Sequence, residues 1–153
     1  MMDRDMSNES MAQKKERTQT SGLIRELLEE RKQVWSSYCA VSGIEEHKGQ
    51  KPIEELLQDF CQLTVDYISL GHFGVYQRIL AGNERRKSVL AAAERIYPSI
   101  SKATETVLDF NDKYQTLTPA MILNELASDL SSVGENLANR IELEDQLIGE
   151  MLA

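Results

Sequence analysis

Between Asp59 and Leu80 the chain reads DFCQLTVDYISLGHFGVYQRIL. It has the length and apolar content of a core helix, yet acids, a histidine and two glycines stand where such a helix carries alkyl groups. At 3.6 residues per turn, Ile53, Leu57, Phe60, Thr64, Ile68, Gly71, Val75 and Ile79 form one stripe of the kind that packs against neighbouring helices. A second stripe, Glu55, Asp59, Gln62, Asp66, Ser69, Phe73, Tyr76 and Leu80, begins acidic and ends aromatic. Such a mixture suits a partner surface or a buried polar layer better than a face turned only to water. Gly71 and Gly74 each cost about 1 kcal/mol against alanine inside a helix, so a neighbouring backbone is expected to approach closely there.

The same period governs the remaining chain. Ser21 is expected to cap a first helix running to about Val41, with Leu23, Ile24, Leu27, Leu28, Val34, Trp35 and Tyr38 inward and Ser42-Gly43 as its stop. A charged loop, Ile44 to Lys51, contains His47, to which no role is given, and Pro52 opens the second helix. After a turn at AGNE, a third segment from about Arg85 to Tyr114 keeps one apolar phase through Pro98: Leu90, Ala93, Tyr97, Ile100, Ala103, Val107, Phe110, Tyr114. That continuity predicts one kinked helix, not two. Thr118 is the expected N-cap and Pro119 the first residue of a last helix to about Met151, with Leu123, Leu126, Leu130, Val133, Leu137, Ile141, Ile148 and Met151 inward. No strand-turn-strand pattern occurs, so the expected fold is all-α: an antiparallel up-down-up-down four-helix bundle with a Pro-kinked third helix. Residues 1–20 are polar and without period, which predicts a disordered N-terminal arm before a bundle domain at 21–153.

Charge narrows the function. The net charge is −8, and the arm, with four acids and four bases, contributes none of it. From Pro119 onward there are seven acids and one base, Arg140. An acidic last helix is unsuited to nucleic acid, whose phosphates need lysine and arginine, but it suits a basic protein. Cys39 and Cys61 lack metal or redox spacing and read as reduced core thiols. No signal peptide or membrane span is indicated, which points to the cytoplasm. Two histidines, neither in a Glu-x-x-His pattern, argue against a di-iron bundle, and no nucleophile elbow or Walker lysine is present. No cofactor, no metal and no catalytic residue are therefore assigned.

The run DFCQ, then VDY, then GHF with Tyr76 following, resembles the signature segment of the Rsd/AlgQ family, bacterial anti-sigma factors that regulate RNA polymerase. ERK at Glu30 to Lys32 and RIELEDQLI at Arg140 to Ile148 agree with it, while Trp35 and Ser36 stand where aliphatics are expected. The resemblance spans about Leu23 to Leu152. It implies the four-helix architecture and an anti-sigma function: covering the C-terminal, promoter-recognising domain of the housekeeping sigma subunit. Residue types alone favour His72 as an interhelical hydrogen-bonder and Phe73 as core; the resemblance turns both toward partner recognition. The expected partner-binding residues are Asp66, Ser69, His72, Phe73, Tyr76, Glu142 and Asp145, with Phe73 and Tyr76 as aromatic anchors. A second hypothesis, of a different class, is a small-molecule sensor or hydrolase using the polar layer of the bundle.

That layer is itself an expectation. The inward phase of the first helix passes through Arg31 and that of the last through Glu144. Counting heights along antiparallel neighbours brings both near Asp66. Arg31 is therefore expected to bridge Asp66 and Glu144, since a buried guanidinium can fork to two acids.

Overall fold

The computed structural model describes the backbone of residues 2–43, 51–80, 84, 86–116, 122 and 124–153, and the side chains of all these but 2–10, 12–19 and 80. Every element among them is helical. These are α1 (Met2–Ser42), α2 (Ile53–Leu70), a π turn (Gly71–Tyr76), α3 (Gln77–Leu80), α4 (Lys87–Lys113) and α5 (Leu126–Leu152). The π turn and α3 continue α2 without a break, so the chain folds as an all-α bundle of four long helices. The loop holding His47, most of the AGNE turn, and the Thr118 cap with Pro119 lie outside the described residues.

Local chemistry accounts for most of the boundaries. Gly43, at φ 77°, ends α1 in the left-handed region where other residues are strained, and its N–H donates to the Ala40 carbonyl at 3.4 Å. Pro52 caps α2, its carbonyl accepting from Glu55 N–H at 3.0 Å and Leu56 N–H at 3.1 Å. At the other end of α1 the expectation fails: the backbone is helical from Met2, so Ser21 lies within the helix and caps nothing. Residues 2–20 hold no glycine or proline and are rich in methionine, glutamine, lysine and arginine. Propensity of that kind leaves no apolar stripe for a periodicity argument to find.

Ile24 is the first side chain described as buried on α1, and Leu27, Val34, Leu57, Phe60, Val89, Val107, Val133 and Leu137 follow from all four helices at 0–1% exposure. Each contributes roughly 1.5–3 kcal/mol by leaving water. A file of rings, Tyr38, Phe60, Phe110 and Tyr114, with centroids 5.8, 5.9 and 4.7 Å apart, ties α1, α2 and α4 together. Neighbours meet in opposed residue order. Leu23 lies beside Gly74 and Tyr38 beside Phe60, while Arg31 reaches Glu144 and Tyr38 reaches Leu130.

In α4 the inward phase runs through Val89, Ala93, Ile96 and Ile100, one residue away from the expected Leu90 and Tyr97 in its first half. Leu90 is exposed and Tyr97 half-buried. Pro98 stands on the exposed side of this unbroken helix, where the carbonyl its ring leaves unpaired can be hydrated. Among the described glycines the tightest is Gly134, where an added Cβ would lie 2.2 Å from the Tyr38 hydroxyl.

Candidate functional site

Two groupings arise from the α2 and π-turn rod, one outside the bundle and one inside. Outside, Asp66, Ser69 and Phe73 follow at spacings of three and four and share a face, with His72 beside them. Asp66 is exposed and accepts from Gln62 Nε2 at 3.0 Å. Ser69 and His72 are half-buried. Phe73 is 64% exposed, and the His72 ring meets it edge-on at 4.9 Å. Most of the Phe73 ring is thus left in water, with a second ring against its edge.

Inside, one carboxylate collects four donors. Glu144, 1% exposed, accepts at Oε1 from the Tyr67 hydroxyl and from Arg31 Nη2 at 2.8 Å. At Oε2 it accepts from the Tyr76 hydroxyl and from Arg140 Nη1 at 3.3 Å. Arg140, also 1% exposed, donates from Nε to Thr104 Oγ1 at 3.0 Å, and its guanidinium lies 5.0 Å from the Tyr67 ring centroid and 5.9 Å from that of Tyr76. Arg31 reaches outward as well, from Nη1 to Asp145 Oδ1 at 2.6 Å. Two arginines thus face two carboxylates, and the net charge of the cluster is zero. Burial first, and then the Glu144 charge, holds the Tyr67 and Tyr76 hydroxyls far above their usual range, so both remain donors. Burial pulls Arg31 down, but its bonds to Glu144 and Asp145 outweigh this and keep it charged.

Arg31 does bridge two acids, but the second is Asp145, not Asp66. At 100° per residue the inward place on α2 belongs to Tyr67, which leaves Asp66 outside, where its charge acts on Glu30 of α1. The Glu30 carboxyl is raised, by burial first and then by Glu26 and Asp66. Tyr76 is the second correction: it is 3% exposed with its hydroxyl on Glu144, and so cannot be a surface anchor beside Phe73. Glu142 and Asp145 lie exposed on α5, and Asp145 is already engaged by Arg31. Close approach at Gly71 is real but comes from side chains: an added Cβ would lie 3.3 Å from Arg140 Nη2 and 3.3 Å from Tyr76 Cε2. Tyr67, Arg140 and Thr104 were not anticipated as members of the cluster. The spacing Leu137, Arg140, Glu144, Leu147, Met151 carried the signal for Arg140.

The inner cluster satisfies its carboxylate, although Arg31 Nε is buried without a hydrogen-bond partner. Beside it a cavity of about 10 Å³, lined by Tyr76, Ile79, Ala93, Tyr97, Ile100 and Leu147, is barely the size of one water. Among the described residues no group of three or more His, Cys, Asp or Glu converges on a metal position, and no helix is long and apolar enough to cross a membrane. Cys39 and Cys61 are free and half-buried, and burial pushes the Cys61 thiol up to about 11, far from a reactive thiolate at neutral pH.

Known proteins match most of this chain. The family described as "Regulator of RNA polymerase sigma(70) subunit, Rsd/AlgQ" matches residues 6–152. A protein of Yersinia enterocolitica named "Regulator of sigma D" is 39% identical over 130 residues, covering 82% of this chain and 78% of its own. Proteins of the same name from Yersinia pseudotuberculosis and an Enterobacter strain are 38% and 37% identical, with similar coverage. These relatives are named as regulators of a sigma factor, not as enzymes. With its helical bundle and the match extending across every helix, the chain belongs to the Rsd/AlgQ family of regulators of the RNA polymerase sigma(70) subunit.

Proposed function

We propose that this protein is an anti-sigma factor that binds the C-terminal, promoter-recognising domain of the housekeeping sigma subunit and regulates transcription by sequestering it. The observation that carries the reading is Phe73, 64% exposed on a face shared with Asp66 and Ser69 and braced by His72. A domain that grips promoter phosphates must be basic, and a chain of net charge −8 can compete with DNA for it. Phe73 supplies the apolar anchor, with Asp66, Ser69 and His72 as its polar surround, while Glu142 adds to the acidic field that steers encounter and Asp145, its charge met by Arg31, lies beside it as an exposed acceptor. Tyr76 takes no direct part. The action is reversible occupancy in the cytoplasm, without chemistry, cofactor or direct contact with nucleic acid.

Calorimetric titration of the chain with an isolated sigma C-terminal domain tests this. Binding is expected, and Phe73→Ala is expected to weaken it by about thirtyfold, the effect of losing a hot-spot ring, while urea stability moves by less than about 1 kcal/mol. Absence of binding overturns the proposal. Unchanged affinity in Phe73→Ala removes the observation on which it rests.

A further inference from the structure

Phe73 and Tyr76 are three residues apart, and a regular helix would place them on one face. Here they part company: Phe73 is 64% exposed and Tyr76 is 3% exposed. The π turn separates them. Gln77 N–H donates to the His72 carbonyl, five residues back, and the extra residue turns everything that follows by about 100° relative to what precedes it. Val75 and Ile79 stay in the core while Phe73 stays out.

A π turn packs its backbone less well than an α-helix and needs support from outside itself. Two contacts supply it, and both involve Tyr76. Its hydroxyl donates to Glu144 Oε2, a buried charged acceptor, and its ring lies over Gly71, the residue that opens the turn and has no Cβ to obstruct it. We infer that Tyr76 is a positioning residue: bonded to Glu144 across the bundle, it holds the π turn and so keeps His72 and Phe73 on the outer face. Without that bond the segment gains by reverting to α-helical pairing. Then either Tyr76 rotates out of the core, where Val75 and Ile79 keep an inward place, or Phe73 rotates toward it, and the face presented by Phe73 changes in both cases. Only the effect on partner affinity rests on the proposed sigma-binding reading; the effect on the turn does not.

The test compares two hydroxyls on one carboxylate. Tyr76→Phe and Tyr67→Phe each remove one donor to Glu144 and keep the ring, but Tyr67 precedes the π turn. A merely structural role would loosen the protein alike in both. Amide hydrogen exchange is measured at residues 72–77, normalised to core amides of α4. Exchange there is expected to quicken about tenfold in Tyr76→Phe, the scale of one hydrogen bond to a charged group, and to stay near wild type in Tyr67→Phe. Affinity for the sigma C-terminal domain is expected to fall about tenfold in Tyr76→Phe alone. Gly71→Ala, which deletes no donor but crowds the Tyr76 ring and Arg140 Nη2 alike, is expected to quicken the same amides and serves if Tyr76→Phe does not fold. Equal exchange at residues 72–77 in the two tyrosine variants, or no change in either, overturns the inference. Quickened exchange in a chain whose wild type does not bind the sigma domain upholds it and fails the proposed function instead.

Discussion

Two carboxylates on α5 are served by the same kinds of donor and housed in opposite ways. Asp129 accepts from the Tyr114 hydroxyl at 2.5 Å and from Lys113 Nζ at 2.8 Å, but its side chain is 30% exposed and that of Lys113 is 39% exposed. Glu144 accepts from two tyrosines and two arginines at 1% exposure. Near water, Asp129 would be hydrated if its partners left, so its bonds replace nearly equal ones. Glu144 has no water to return to, and each donor it loses leaves charge unsatisfied in a medium of low polarity. Number of bonds therefore says less about what holds this bundle than where the bonds are made.

The largest effect should come from cutting the two acids back in parallel. Glu144→Ala strands Arg140 in the core and frees two tyrosine hydroxyls there, a loss of about 3–5 kcal/mol by the usual cost of breaking a buried pair. Asp129→Ala should cost less than about 1 kcal/mol. Urea midpoints at constant slope measure both, and equal losses would show that burial is not what separates the two sites.

The same contrast explains what was legible beforehand. Apolar residues at spacings of three and four announced four helices, because burial of a stripe is what periodicity records. Arg31 and Glu144 stood out as charges within such stripes, and they do meet, at 2.8 Å. Asp66 was drawn into the layer because a height count fixes level along a helix but not rotation about it, and one residue of error is a quarter turn. Tyr76 was assigned to the wrong face for a related reason. The count assumed α-helix throughout, whereas the π turn at Gly71–Tyr76 inserts a residue that no local motif declares, its support lying on α5. Residue types alone favoured a core place for Phe73, and its exposure beside Asp66 and Ser69 overturns that reading, because a large ring does not declare which side of a helix it takes.

A smaller effect, and a sharper one, lies at high pH. Tyr67 and Tyr76 are held above their ordinary value by burial and then by Glu144; Tyr114 is raised by burial and then by its bond to Asp129. In each case the folded value exceeds the unfolded one, so the contribution is whole below pH of about 10 and is lost as pH rises through the folded value. Each such tyrosine steepens the alkaline loss of stability by about 1.4 kcal/mol per pH unit while only the unfolded chain ionises. Replacing Tyr67 and Tyr76 together by phenylalanine should therefore flatten that limb about twice as much as Tyr114→Phe does. Equal flattening would mean that one of the two Glu144 tyrosines is not shielded.

The smallest effect belongs to the acid limb and to Asp129. Partial burial raises its carboxyl, but the bonds from Lys113 and Tyr114 outweigh this and hold it below the ordinary range. A depressed carboxyl contributes above its unfolded value of about 4 and loses that contribution as pH falls through its folded value. Because both partners stand partly in water, the loss should amount to a few tenths of a kcal/mol and should shrink further in high salt. Asp129→Asn, followed by urea unfolding between neutral pH and pH 3, should therefore flatten the acid limb by no more than this. A loss above about 2 kcal/mol at neutral pH would put Asp129 in the energetic class of a buried pair. In that event the distinction from Glu144 would have to come from the number of donors after all.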